Sequence, residues 1–221
     1  MKSGIIGSID GDLESIPSFD DVVTTEDFEL HTCVTAGPVQ QDLLGELAGQ
    51  SGEALTEDIA DVSIPSVEDG NITSSTSPQK TFQYTEFEAV PNDFVLIDGT
   101  DGEFLFDELT RRTDAVVSRA SVDIDAYAES RPNANPWKCG FSNAHGNIES
   151  GTVYGHDVTD DLNMGDVIDS SDKTQIGLEF EYSGTQIKME VSGNGFVRVL
   201  EPSLRTETFL GFVEDEIAPF W

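Results

Sequence analysis

Basic residues are what this chain has least of. Eleven Lys and Arg stand against 43 Asp and Glu, a formal charge of −32 over 221 residues, and only five of the cations are lysine. Cysteine is also scarce. Cys33 and Cys139 are too few for a disulfide framework and read as free thiols of a reducing compartment. No segment approaches the roughly 18 apolar residues of a membrane span. Met1–Gly7 lacks the apolar run of a signal peptide. The expectation is a soluble, cytoplasmic protein with no membrane role. There is no internal repeat, no heptad pattern, no Walker or Rossmann glycine pattern and no Gly-x-Ser-x-Gly elbow. The sequence therefore carries no signature of a particular reaction, and no cofactor is expected.

A charge of −32 has two physical readings. Self-repulsion opposes compaction at ordinary ionic strength, and disorder needs low hydrophobicity combined with high charge. Here 37% of residues are apolar and several segments alternate cleanly, which argues for a fold. At about 1 M salt the Debye length falls to roughly 3 Å and the repulsion is screened. The expectation is a folded protein from a high-salt cytoplasm.

The strongest architectural signal is Thr174–Trp221. Ile176, Leu178, Phe180 and Tyr182 alternate with polar residues, the period of a strand with one buried face. Ser183-Gly184-Thr185 supplies a hairpin turn, and Ile187, Met189 and Val191 then repeat the period. Ser192–Gly195 precedes a third strand, Phe196–Leu200, and Pro202 stops the sheet. Ser203 is a good N-cap, and Phe209, Leu210, Val213 and Ile217 recur at helical spacing. The predicted class is α+β: an antiparallel meander with a C-terminal amphipathic helix packed on it, plus one or two shorter helices.

Residues 1–79 hold one basic residue, Lys2, and 16 acidic ones. Phe28–Thr35 reads as a strand with His31 and Cys33 on one face. Pro38 opens a short helix through Val39, Leu43, Leu44 and Leu47. Asp61–Val67 reads as an edge strand because Pro65 interrupts it. Asp69–Pro78 is polar and nearly uncharged, like a linker. The predicted organisation is an acidic N-terminal subdomain or arm, 1–79, and a main domain, 80–221. In the latter, strands are expected through Phe82–Val90, Phe94–Ile97, Trp137–Phe141 and Gly151–Tyr154. Glu103–Arg112 reads as a helix, Val116–Tyr127 as one long alternating strand, and Asp157–Asp172 as an acidic loop.

Chemistry-bearing residues are few. On the expected long strand Asp123 and Asp125 share a face about 7 Å apart, a spacing that suits a shared divalent ion or an acid–base pair. In so acidic a chain a solvated carboxylate face is the simpler reading, and the same holds for Asp157, Asp160 and Asp161. His31 with Cys33 and Cys139 with His145 are the only soft-ligand pairs, and neither has the spacing of a zinc knuckle. No metal site is expected. Cys139 reads as a core thiol, and His156 has no obvious partner. The arginines say more: Arg111, Arg112, Arg119 and Arg131 fall within 21 positions, and Arg198 and Arg205 flank the third strand and its helix. Arg111, Arg112, Arg119, Arg131 and Arg198 are the candidate binding residues, with internal salt bridges as the alternative use.

The blocks Trp137-Lys138-Cys139-Gly140-Phe141, Gly151-Thr152-Val153-Tyr154-Gly155, Gly193–Val199 and Gly102–Asp107 resemble a group of halophilic archaeal proteins of unknown function. The likeness spans roughly Phe82–Pro202; it implies a high-salt origin and no activity. The order strand, Ser192-Gly193 turn, strand, helix is similar to half of a TATA-box-binding-protein saddle. The chain departs from that family in lacking a second half and in carrying Glu179, Glu181 and Glu190 on the sheet. Three functional classes follow. The first is a non-catalytic binding or assembly protein, with a protein partner or self-association. The second is a metal-assisted hydrolase or nuclease using Asp123 and Asp125. The third is a nucleic-acid-associated regulator.

Overall fold

A computed structural model describes residues 2–41, 48–144, 148–202 and 204–221. The N-terminal half contains β1 (Lys2–Asp10), β2 (Phe19–Thr24), β3 (Glu29–Ala36), β4 (Gln40–Gln41), β5 (Ala48–Glu68), β6 (Asn71–Val90) and β7 (Phe94–Ile97). Next come α1 (Phe104–Arg112), β8 (Val116–Arg119), α2 (Ile124–Glu129), β9 (Asn135–Ser142) and β10 (Ser150–Tyr154). The chain closes with α3 (Gly165–Asp169), β11 (Asp172–Tyr182), β12 (Thr185–Ser192), β13 (Phe196–Val199) and α4 (Thr206–Phe212). A π-helical stretch, Val213–Ile217, and a last 3-10 turn, Ala218–Phe220, extend α4.

All pairings are antiparallel, and the strands join in the order β10-β9-β11-β12-β13-β1-β7-β6-β5-β3-β2, with β4 on β5 and β8 on β1. β1 is the centre. One of its edges pairs with β13 over Lys2–Ile5 and then with β8 over Gly7–Asp10; the other pairs with β7. At the junction the Ile6 N–H donates to the Gly195 carbonyl, and the Ala120 N–H donates to the Ile6 carbonyl, each at 2.9 Å. Gly195 has φ +78, and a Cβ there would fall 2.7 Å from the Ala120 carbonyl oxygen. Only glycine fits such a site.

The sheet is covered on opposite faces in its two halves. Ile5, Phe87, Val95 and Ile97 pack under Leu105, Phe106 and Leu109 of α1 on one face. On the other face Ile176, Leu178, Ile187, Met189, Val197 and Val199 pack under α2 and under Phe209, Leu210, Phe212, Val213 and Ile217. Phe220 and Trp221 fold back onto this second core, Phe220 edge-on to Tyr127 at 5.3 Å. A smaller cluster places Cys139 and Phe141 under Val158 and Ile168. The class is therefore the expected one, a mainly antiparallel sheet with a C-terminal helix and shorter helices. Ser183 and Gly184, with φ 48 and 77, make the β11–β12 turn.

Four segments differ from the sequence reading. Val116–Tyr127 is not one strand: β8 ends at Arg119 and α2 begins at Ile124. Asp69–Pro78 is no linker, because Asp69 and Gly70, with φ 50 and 77, form a two-residue turn and β6 starts at Asn71. Residues 1–79 and 80–221 thus share β6 and one sheet, with β1 between β13 and β7. The acidic stretch 157–172 contains α3. Pro38 and Val39 lead into β4; Leu43, Leu44 and Leu47 of the expected helix, the Ser203 cap and His145 lie outside the described residues. No described helix is long and apolar enough to cross a membrane.

Candidate binding surfaces

Asp123 and Asp125 do not share a strand face. Asp123 is the N-cap of α2, its carboxylate accepting from the Ala126 N–H at 3.0 Å. Asp125 lies in the first turn and accepts from Lys173 Nζ at 2.6 Å. Burial pulls the Lys173 amine down most strongly of any one cause, but the Asp125 bond together with the charges of Asp125, Cys139 and Asp169 raises it above its usual range. A helix wins here because Ile124 and Tyr127, three apart, are both buried while Asp125, two alanines and Glu129 fill the remaining positions. The geometric premise of a paired-carboxylate site is thereby removed.

The five candidate arginines are each turned toward a carboxylate of the chain itself. Arg111 and Arg112 end α1 and hold Glu108; Arg112 also reaches Asp21 on β2 and stacks 3.8 Å from the Phe19 ring centre. Arg119 on β8 pairs with Glu103 at 2.7 Å and donates to the Asn194 carbonyl. Arg131 pairs with Glu216, and Arg198 with Glu190. Cys139, on the far side of the sheet from Cys33, is buried, and burial pushes its thiol up to about 11. Among the described residues no three His, Cys, Asp or Glu are grouped to hold a metal ion.

Two surfaces stand out. The first is the uncovered face of β10, β9, β11, β12 and β13. Registers align Tyr154, Lys138, Gly177, Glu190 and Arg198 in one row across those five strands. Glu190 has only 5% of its side chain exposed, because Lys138 Nζ at 2.8 Å and the Arg198 guanidinium close over it. The row is flanked by aromatic rings: Lys188 Nζ lies 4.4 Å from the Trp137 ring centre and Lys138 Nζ 5.7 Å from that of Tyr154. Gly177 has a packing reason, since a Cβ there would fall 2.6 Å from the Trp137 ring.

The second surface is the β5–β6 ribbon. β5 is tied to β3 only through Thr56, and β6 to β7 only from Phe87 onward. Beyond those points the two strands pair with each other alone, out to Glu68 and Asn71. At ~3.3 Å per residue the free part extends roughly 40 Å from the body. One face carries Leu55 with Tyr84, Glu57 with Phe82, Ile59 with Lys80, Asp61 with Pro78, Pro65 with Ser74, and Val67 with Ile72. Phe82 is 70%, Val67 74% and Ile72 83% exposed. The opposite face is mostly hydroxyl and amide, with Gln79, Ser77, Ser75 and Thr73 facing Ala60, Val62, Ile64 and Ser66. Val62–Val67 and Gly70–Gln79 contain no charged residue, while Asp61, Glu68 and Asp69 border them.

The ribbon's edges are guarded. Counting from the two-residue turn, every second residue directs its N–H outward, and Pro65 and Pro78 both fall on that outward set. Neither has an N–H to offer, which blunts an edge against further strand pairing. The outward N–H of Ile59 donates to its neighbour Asp58 at 2.7 Å. Sequence reasoning missed the ribbon because both faces are solvated and period two is absent. Its findable signal was Asp69-Gly70, a two-residue hairpin dipeptide.

Two shallow clefts also open on the surface. One of about 270 Å3 is lined by Lys2, Glu88, Asp98 and Phe209, and one of about 510 Å3 by Arg131, Asn135, Glu179 and Phe180. Burial raises Glu88 above the ordinary carboxylate range, with Lys2 partly opposing. Comparison with known proteins finds no matching family model and no matching curated sequence.

Proposed function

We propose that this is a non-catalytic binding or assembly protein of a high-salt cytoplasm, and that the β5–β6 ribbon is its docking element. The observation that carries the reading is the ribbon itself. Some twenty residues extend from the body with apolar side chains exposed along one face and no contact from the chain's own core. A two-stranded ribbon standing alone is marginal in water, and exposed apolar stripes of this extent mark interaction sites. The acidic body supplies solvation in brine.

The test is a comparison of the full chain with a variant whose residues 60–79 are replaced by a two-residue turn. Affinity capture from a lysate in molar salt, under equal loading, is expected to retain a stoichiometric protein, or a second copy of the chain, on the full chain only. Identical retained sets would overturn the reading. A second reading, nucleic-acid association, draws support from the Trp137, Tyr154, Lys188 and Arg198 face, since rings beside cations suit stacked bases. It requires that single-stranded oligonucleotides quench Trp137 fluorescence, an effect lost in Trp137→Phe.

A further inference from the structure

The strand order leaves β10 and β2 as the sheet's two outer strands. We propose that β10, a surface separate from the ribbon, is an attachment edge. An extended, basic polypeptide segment adds to it as one more antiparallel strand.

Other free edges of this sheet are blocked, each by its own device. Pro65 and Pro78 remove outward N–H groups from the ribbon. On β8 the Thr110 hydroxyl takes the Val117 N–H at 2.8 Å and donates to the Val117 carbonyl at 3.2 Å, so one side chain closes both groups. β2 carries adjacent carboxylates, Asp20 and Asp21, with Arg112 reaching across to Asp21. β10, Ser150-Gly151-Thr152-Val153-Tyr154, has no proline, no charge and an unbroken register against β9. Its length is that of an ordinary strand, so brevity does not protect it either.

The Gly155 N–H donates to the Trp137 carbonyl at 3.0 Å, which fixes the parity of the ladder. Gly151 and Val153 therefore bond toward β9, and Ser150, Thr152 and Tyr154 direct N–H and C=O away from it. Among the described residues none of those outward backbone groups has a partner. Alternating donors and acceptors in a row are what an added strand satisfies, and side chains then select which strand.

Charge makes that selection. Val153 shares its face with Cys139, above the cluster where Val158 and Ile168 are buried. The segment carrying those two residues exposes Asp157, Asp160, Asp161 and Asp166, and no Lys or Arg occurs between Lys138 and Lys173. The β10 of a second copy would bring its own aspartates to the same side. A segment with a cation at every second position sets opposite charges there instead. On the other face Tyr154 is 65% exposed beside Trp137 and Lys138, a site for apolar side chains. The occupant thus alternates basic and apolar residues. In molar salt charges interact only over about 3 Å, so the backbone bonds hold the strand and close ion pairs set the preference.

The probe is a capped peptide of about eight residues alternating lysine and valine, an ordinary strand length. It is added to the full chain in molar salt, at concentrations where the free peptide is monomeric. An alternating glutamate–valine peptide is the comparison. The lysine peptide should slow amide exchange at Thr152 and Tyr154, leave residues 59–80 unchanged, and bind about ten-fold or more tighter than the glutamate peptide. In this antiparallel register the valine amides face β10, so N-methylating them should weaken binding about ten-fold, and N-methylating the lysine amides should not. Thr152→Pro should weaken binding similarly with unchanged circular dichroism, because the N–H it removes points away from β9. The methylated peptides make the same test on the unaltered chain. No slowing at Thr152 and Tyr154, equal affinity for the glutamate peptide, or equal loss from both methylation patterns overturns the proposal. Protection confined to residues 59–80 overturns it while leaving the ribbon reading intact.

Discussion

Glu190 lies in the sheet row between Lys138 and Arg198, with almost none of its carboxylate exposed. Removing it leaves two cations against each other, and uncompensated buried charge is what makes breaking such a cluster costly. Glu190→Ala is expected to lower the unfolding free energy by about 3 kcal/mol or more in denaturant titrations, whereas Arg111→Ala, at an exposed pair, should cost less than about 1 kcal/mol. Glu88 gives a pH signature. Burial raises its folded-state affinity for a proton, so its stabilising contribution is full below the unfolded carboxylate value, near pH 4, and is lost as pH rises through the higher folded one. Glu88→Gln should therefore be more stable than the parent at pH 7, and the difference should vanish below about pH 4 in thermal melts.

Gly195 sets where β13 hands the edge of β1 over to β8. Gly195→Ala would carry about 1–2 kcal/mol of left-handed backbone cost in addition to a Cβ 2.7 Å from the Ala120 carbonyl oxygen. Its expected outcome is a clear fall in melting temperature with loss of hydrogen-exchange protection at Ile6 and Ala120. Elements buried on one face were legible in the sequence. Ile176–Tyr182, Ile187–Val191 and Phe209–Ile217 bury one side, and their periods reveal it. Two kinds of element were not. Asp123–Ala126 mimics strand alternation because isoleucine, aspartate and alanine alternate across a helix start, and only the capping bond of Asp123 settles it. The ribbon buries neither face beyond Thr56, so solvent imposes no period and its residues read as a linker. The same limit applied to the surfaces: Arg198 was visible as a rare cation, but the row that gives it partners is made by register across five strands.

At the scale of the whole molecule, −32 charges surround a body whose two cores lie on opposite sheet faces. Repulsion among surface carboxylates is long-ranged at low salt and short-ranged at about 1 M, where the Debye length is near 3 Å. The melting temperature is expected to rise steeply between ~0.1 and ~1 M KCl, and independence of salt would remove the brine reading. The ribbon differs from the body in that, beyond Thr56 and before Phe87, its two strands pair only with each other.

That contrast makes amide hydrogen exchange on the full chain, in molar salt and across a range of protein concentrations, the most direct test. At every concentration residues 59–80 should exchange far faster than β1, β12 and β13. Ribbon amides as slow as the core's would contradict a docking element that stands free of the body.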